Sequence, residues 1–174
     1  MKAIRTLVVV LALMITGLAH AALTLQQITT LKAMVQADLT AAALAASADD
    51  IGLAAWLNAT DGTCVVWRHD VTIAEAHAVM VWTEVDALTN GKARIWEWMR
   101  ELGLLDARQA NVRQGLADAF SAAAATRTAL TVLAKRQATR AEKALASGAC
   151  SNGAPSITTF VGTLSFADAS VIRS

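Results

Sequence analysis

The sequence predicts a mainly α-helical protein, a helical bundle that carries a small two-stranded antiparallel β element. Alanine, which has the highest helix propensity, is the commonest residue, and the single proline of the 174-residue chain is Pro155. Apolar residues recur at three- and four-residue steps through most of the chain, as on the buried face of a helix. Two short runs, 63–68 and 157–164, are rich in β-branched residues and have the composition of strands.

The first 21 residues have the pattern of a bacterial export signal. Lys2 and Arg5 precede an apolar stretch at 7–19, and residues 19–21 form a small-x-small cleavage pattern. We therefore predict that residues 1–21 are a signal peptide or a misassigned leader. Residues 22–174 should then form a single α-rich domain with one core, which is ordinary for this length.

Two explanations of the leader stay open. Cleavage after Ala21 would place the protein in the periplasm or outside the cell, whereas initiation near Leu23 would leave it in the cytoplasm. An uncleaved anchor is disfavoured, because a stretch of about 20 residues must include His20 and Thr24 to span a bilayer. We expect no stable membrane anchor.

The apolar spacing predicts a series of helices separated by polar turns. Thr24 or Thr29 can cap the first helix, and Asp49 and Asp50 can begin the second. Gly103 is well placed to end a helix in the left-handed conformation. The predicted helical segments are 25–39, 50–57, 73–89, 92–103, 106–120 and 123–146, with a final turn at 168–173.

The two strand-like runs should pair with each other. This pairing would bring Cys64 and Cys150 toward the same end of the β element. One interpretation is that the two cysteines form a disulfide, which suits an oxidising compartment. The other interpretation is that they are two unrelated free thiols.

Composition argues against several classes of function. The chain has 15 basic and 14 acidic residues, so no nucleic-acid partner is specifically implied. His69 and His77 stand outside any catalytic or metal-binding motif, and neither cysteine lies near a histidine at ligand spacing. We expect no catalytic residue, no metal and no cofactor.

Candidate contact residues come from two patterns. Arg136, Arg140 and Lys143 would share one face of the predicted 123–146 helix, either as a solvated surface or as an interface for an acidic partner. If they lie on that face, they should contribute little to stability. Trp96 and Trp98 lie about 200° apart around a helix, so one of them should face another element or an interface.

Several stretches resemble a family of small proteins of unassigned activity that are encoded among the virion genes of tailed bacteriophages and prophages. The resemblance is carried by residues 82–99 (WTEVDALTNGKARIWEWM), 106–118 (DARQANVRQGLAD) and 135–143 (KRQATRAEK). Residues 23–57 are similar to the opening of these proteins and residues 162–173 to their end. The export-like leader and the Cys64/Cys150 pair depart from the family pattern.

The resemblance implies a non-enzymatic structural protein of the virion, in the neck or tail, that works through contacts with other virion proteins or with itself. Its location would then be the virion, provided that the start is misassigned. The alternative is an exported periplasmic helical protein that binds a partner or ligand without catalysis. That alternative requires the signal peptide to be real.

We predict that the protein recovered from cells lacks residues 1–21. The intact mass of the purified protein measures this directly. An N-terminus at Ala22 would support export, and a Met in place of Leu23 would support the misassigned start. A soluble protein whose mass includes the whole leader would contradict both.

Overall fold

The computed structural model describes residues 23–174, so the predicted leader lies outside the described residues. Helices dominate this part of the chain, which confirms the predicted fold class. The helices are α1 (Leu25–Ala37), α2 (Leu39–Ala46), α3 (Asp50–Asn58), α4 (Ile73–Val79), α5 (Trp82–Asp86), α6 (Asn90–Glu101), α7 (Ala110–Ala119), α8 (Ala125–Leu133), α9 (Arg140–Ala144) and α10 (Phe166–Arg173). The strands are β1 (Thr60–Trp67), β2 (Val71–Thr72), β3 (Leu104–Leu105) and β4 (Lys135–Thr139).

Polar residues fix where several helices begin. Thr24 caps α1, since its hydroxyl accepts a hydrogen bond from the Gln27 N–H while the Gln27 side chain accepts one from the Thr24 N–H. Asp49 caps α3, as expected from the sequence. The same reciprocal capping box occurs at Thr72, Thr139 and Ser165.

The principal β element is an antiparallel pair formed by β1 and β4. Val66 lies opposite Arg136 and Trp67 opposite Lys135, whereas Thr60 pairs with Thr139 across an irregularity in β1. A second antiparallel pair, β2 with β3, has two residues in each strand. The predicted small antiparallel element is therefore present, with β4 as the partner of β1.

The chain length predicts one core, but the buried apolar residues of the described chain form two large clusters. The first core joins α1, α2, α3, α9, α10 and the segment before α10. The second core joins α4, α6, α7, α8, β2 and β3. A small cluster of Cys64, Val66 and Ala138 is formed by β1 and β4, the two strands that connect the cores. The chain thus leaves the first core through β1 and returns to it through β4.

Helix packing follows this division. In the first core α10 packs on α3 and α1 packs on α2 and α10, while in the second core α6 packs on α7 and α4 on α8. The backbone of Arg68 ties the end of β1 to the second core, because its N–H donates to Ala134 O and its carbonyl accepts from Ala107 N–H, both at 2.8 Å.

The prediction of one long helix at 123–146 is wrong. This segment divides into α8, β4 and α9. The physical reason is tertiary: β1 needs a hydrogen-bonding partner, and the ladder with residues 135–139 overrides their helical propensity. Thr139 then restarts the helix with its capping box.

The prediction that 157–164 is the strand partner of 63–68 is also wrong. In the described structure this region forms two isolated β-bridges and no strand. Val66 pairs with Ser156, and Ala146 pairs with Thr158. Beyond them Phe160 and Leu164 turn into the first core. Asn58 holds this segment in place, since its side-chain amide exchanges two 2.8 Å hydrogen bonds with the backbone of Leu164.

Candidate functional site

Arg136 lies on β4 and forms an ion pair with Glu142 of α9. The Arg136 Nη1 group donates to Glu142 Oε2 at 2.6 Å, and the Nη2 group donates to the other carboxylate oxygen. The Glu142 side chain is 1% exposed, and it also accepts from the Thr139 N–H at 2.9 Å. The hydrogen bonds from Arg136 to this carboxylate raise the pKa of the guanidinium. Arg136 and Thr139 therefore both connect β4 to α9 through Glu142.

Arg140 and Lys143 also have partners within the chain. The Arg140 guanidinium lies 4.6 Å from the centre of the Trp56 ring, and its Nη1 donates to Trp56 O at 3.2 Å. The Lys143 ammonium donates to Asp61 at 2.9 Å and to the Thr63 hydroxyl at 2.8 Å.

The carboxyl of Asp61 is the acidic partner of Lys143. The hydrogen bond from the Thr63 hydroxyl, with that from Lys143, lowers the pKa of Asp61 to about 2. Arg140 and Lys143, together with Trp56 and Asp61, line an open groove of 560 Å³ beside α1. Asp38 also lines this groove, so two cations face two carboxylates and the groove does not select the sign of a ligand.

The predicted basic face of Arg136, Arg140 and Lys143 is therefore wrong as a structural unit. Its spacing assumed a continuous helix, and Arg136 lies on a strand instead. Arg136 is also bound to a buried carboxylate, so the expectation that it contributes little to stability does not hold.

Trp96 and Trp98 point to opposite sides of α6, as their spacing predicts. Trp96 is 4% exposed in the second core, where its ring contacts the rings of Phe120 and His77. Trp98 is 59% exposed, with the Arg94 guanidinium 5.4 Å from its ring centre. Trp98 is thus the member of the pair that is free to meet a partner.

Trp98 belongs to an exposed apolar surface at the end of α6. Leu102 follows it by four residues, so the two side chains lie on the same helix face, and Leu104 comes directly after the turn at Gly103. Leu102 is 59% and Leu104 52% exposed. We call Trp98, Leu102 and Leu104 the α6 ledge.

A second aromatic side chain, Trp67 at the end of β1, lies against two cations. The Arg113 guanidinium is 5.1 Å and the Lys135 ammonium 5.2 Å from its ring centre. Sequence reasoning missed this cluster because its members come from β1, α7 and β4. The strand pairing that brings Lys135 opposite Trp67 has no local signal in the sequence.

Cys64 and Cys150 are joined by a disulfide, with their Cα atoms 5.1 Å apart. The expectation that they meet is confirmed, although the strand pairing from which it was inferred is absent. Cys64 is a buried residue of β1, and Cys150 lies on the loop that follows α9. The bridge therefore ties this loop to β1.

The histidines do not form a catalytic arrangement in the described structure. His77 packs against Trp82 and Trp96, and its Nε2 is buried with no hydrogen-bond partner there. Within 23–174, no cluster of His, Cys, Asp or Glu side chains has a composition that could hold a metal ion. No helix in that range is both long enough and apolar enough to cross a membrane.

Comparisons of this chain with protein-family models, curated proteins and solved structures find no match. Two surfaces remain as candidates for function. One is the α6 ledge, which is apolar, and the other is the Trp67 cluster, which is cationic. Both consist of groups suited to protein contact, since Trp and Arg are enriched at binding hot spots.

The ion pair at Glu142 predicts a loss of stability in Glu142→Gln. The substitution places a neutral amide at the buried position of Glu142 and removes the ion pair to Arg136, so the free energy of unfolding should fall by about 2–3 kcal/mol. Denaturant unfolding followed by circular dichroism measures this. Glu97→Gln, on the exposed side of α6, is the matched control and should change stability by less than about 0.5 kcal/mol. Equal effects of the two substitutions would contradict the structural role of the pair.

Proposed function

We propose that this protein is a structural component of a bacteriophage or prophage virion, in its neck or tail, and that it acts through protein–protein contacts. The resemblance of residues 82–99, 106–118 and 135–143 to proteins encoded among virion genes supports this origin. The α6 ledge is the single structural observation that supports contact as the mode of action.

The ledge has the composition of an interface core. Trp98 supplies a large side chain with little conformational entropy to lose, and two leucines continue the apolar surface beside it. Arg94, stacked on Trp98, adds a polar rim. A monomer in water gains nothing from exposing these three residues together, whereas a partner that covers them removes apolar area from water.

A second candidate function is that of an exported periplasmic protein that binds a partner without catalysis. The Cys64–Cys150 disulfide favours it, because such bridges persist in oxidising compartments and are rare in the cytoplasm. The virion proposal places assembly in the cytoplasm, where both cysteines would first be thiols. The compartment in which the protein accumulates separates these two functions.

The proposed function predicts that the protein is present in purified virions and that the ledge holds it there. Trp98→Ala combined with Leu102→Ala should reduce the amount per virion by about thirtyfold, which corresponds to the loss of about 2 kcal/mol, the size of one hot spot. Quantitative immunoblotting of virions purified on a density gradient measures this amount.

Phe166→Ala is the matched control, since Phe166 is a similarly exposed aromatic side chain, at 65%, but lies on α10. It should leave incorporation unchanged. Circular dichroism of each variant confirms that folding is preserved. Recovery of the wild-type protein in the periplasm and its absence from virions would overturn the proposal in favour of the second candidate.

A further inference from the structure

Trp67, Arg113 and Lys135 form a second surface, where the two cores meet. Trp67 ends β1, Lys135 begins β4 directly opposite it, and Arg113 reaches the same ring from α7. All three residues are half-buried. We call them the Trp67 cluster.

Both cations of the cluster are held in position. Arg113 Nη1 donates to the carbonyls of Ala107 and Arg108, at 2.6 and 2.7 Å, and its guanidinium lies on the indole. The Lys135 ammonium is held by the same ring. Ordered groups lose little conformational entropy when a ligand binds them, so the cluster is prepared for binding.

The two cations lack a negative partner, in contrast to their neighbours. Within the described residues, Arg68 pairs with Asp70 and Glu75, Arg108 with Asp106, and Arg136 with Glu142. The same part of the chain contains no ion pair of Arg113 or Lys135.

The two charges lie at most about 10 Å apart, because each is about 5 Å from the centre of the same ring. An acidic group at the edge of this ring would meet positive charges that no carboxylate of the described chain pairs with.

We propose that the Trp67 cluster is a recognition point for an acidic side chain, Asp or Glu, of a partner protein. A carboxylate beside the ring can pair with either cation while its methylene groups lie along the edge of the indole. Trp and Arg together are the side chains most enriched at the centres of interfaces. The inference depends on the proposed function in one respect, which is that the acidic ligand belongs to a partner protein.

Nucleic acid fits this surface less well. Its binding strengthens with the number of phosphates that are neutralised, and the other cations near the cluster already have carboxylate partners. Single strands also require an open aromatic face for base stacking, whereas the ring of Trp67 is stacked against cations.

The experiment is a titration of the ¹⁵N-labelled protein with the peptide acetyl-Ala-Glu-Ala-amide, followed by the indole N–H signal of Trp67. Trp67→Phe assigns that signal among the five tryptophans. We expect a saturable shift at Trp67, and a dissociation constant about threefold higher for the uncharged peptide acetyl-Ala-Gln-Ala-amide, as for one partly exposed ion pair. Lys135→Gln should reduce this difference, because Arg113 remains, and Lys92→Gln, on the exposed surface of α6, should preserve it.

Several results would overturn the inference. These are no shift at Trp67, equal affinity for the two peptides, or tighter binding of a twelve-residue oligothymidylate than of the Glu peptide. The comparison of the two peptides uses the unaltered protein, so it tests the preference for a negative charge even if Lys135→Gln or Lys92→Gln fails to fold. It is also independent of virion assembly, so the proposed function can fail while this inference stands.

Discussion

The antiparallel ladder between β1 and β4 is the interaction on which the rest of the structure depends. The chain passes from the first core to the second through β1 and returns through β4, so the whole segment between them, including α4 to α8, is joined to the remainder by these two strands. A two-stranded ribbon alone is marginally stable in water. Additional interactions along its length must therefore reinforce it.

Both strands make such interactions. Arg136 and the buried Glu142 fasten β4 to α9, and the Cys64–Cys150 bridge fastens β1 to the loop that follows α9. Beyond Trp67, Arg68 links β1 to the second core. The Trp67 cluster lies at this end of the ladder, so the position proposed for an acidic partner is also the position where the two cores meet. A partner bound there would contact the joint between them.

The sequence predicted most helices and failed where tertiary pairing decided the outcome. The helices around Leu31 and Leu53 followed from periodicity, because one face of each is buried. Residues 135–139 became a strand because β1 required a partner, and nothing within those residues indicates this. One local signal was present, since Thr139 and Glu142 have the spacing of a capping box and mark a new helix start within the predicted long helix.

The candidate surfaces also differ in how much of their structure follows from local sequence. The spacing of Trp96 and Trp98 predicts that they lie on opposite sides of α6, which is a local property of a helix, but it does not predict which of the two is buried. By contrast, the partners of Arg136 and the cations around Trp67 come from separate elements, so they follow from the topology alone.

The most direct test of the account is native-state hydrogen exchange, which measures the opening free energy of each core separately. If the reinforced ladder couples the two cores, the amides of Leu57 in the first and Met99 in the second should exchange with opening free energies that agree within about 1 kcal/mol, because both require global unfolding. An opening free energy several kcal/mol lower in one core would show that it unfolds alone, and would contradict the claim that the ladder joins the two into one cooperative structure.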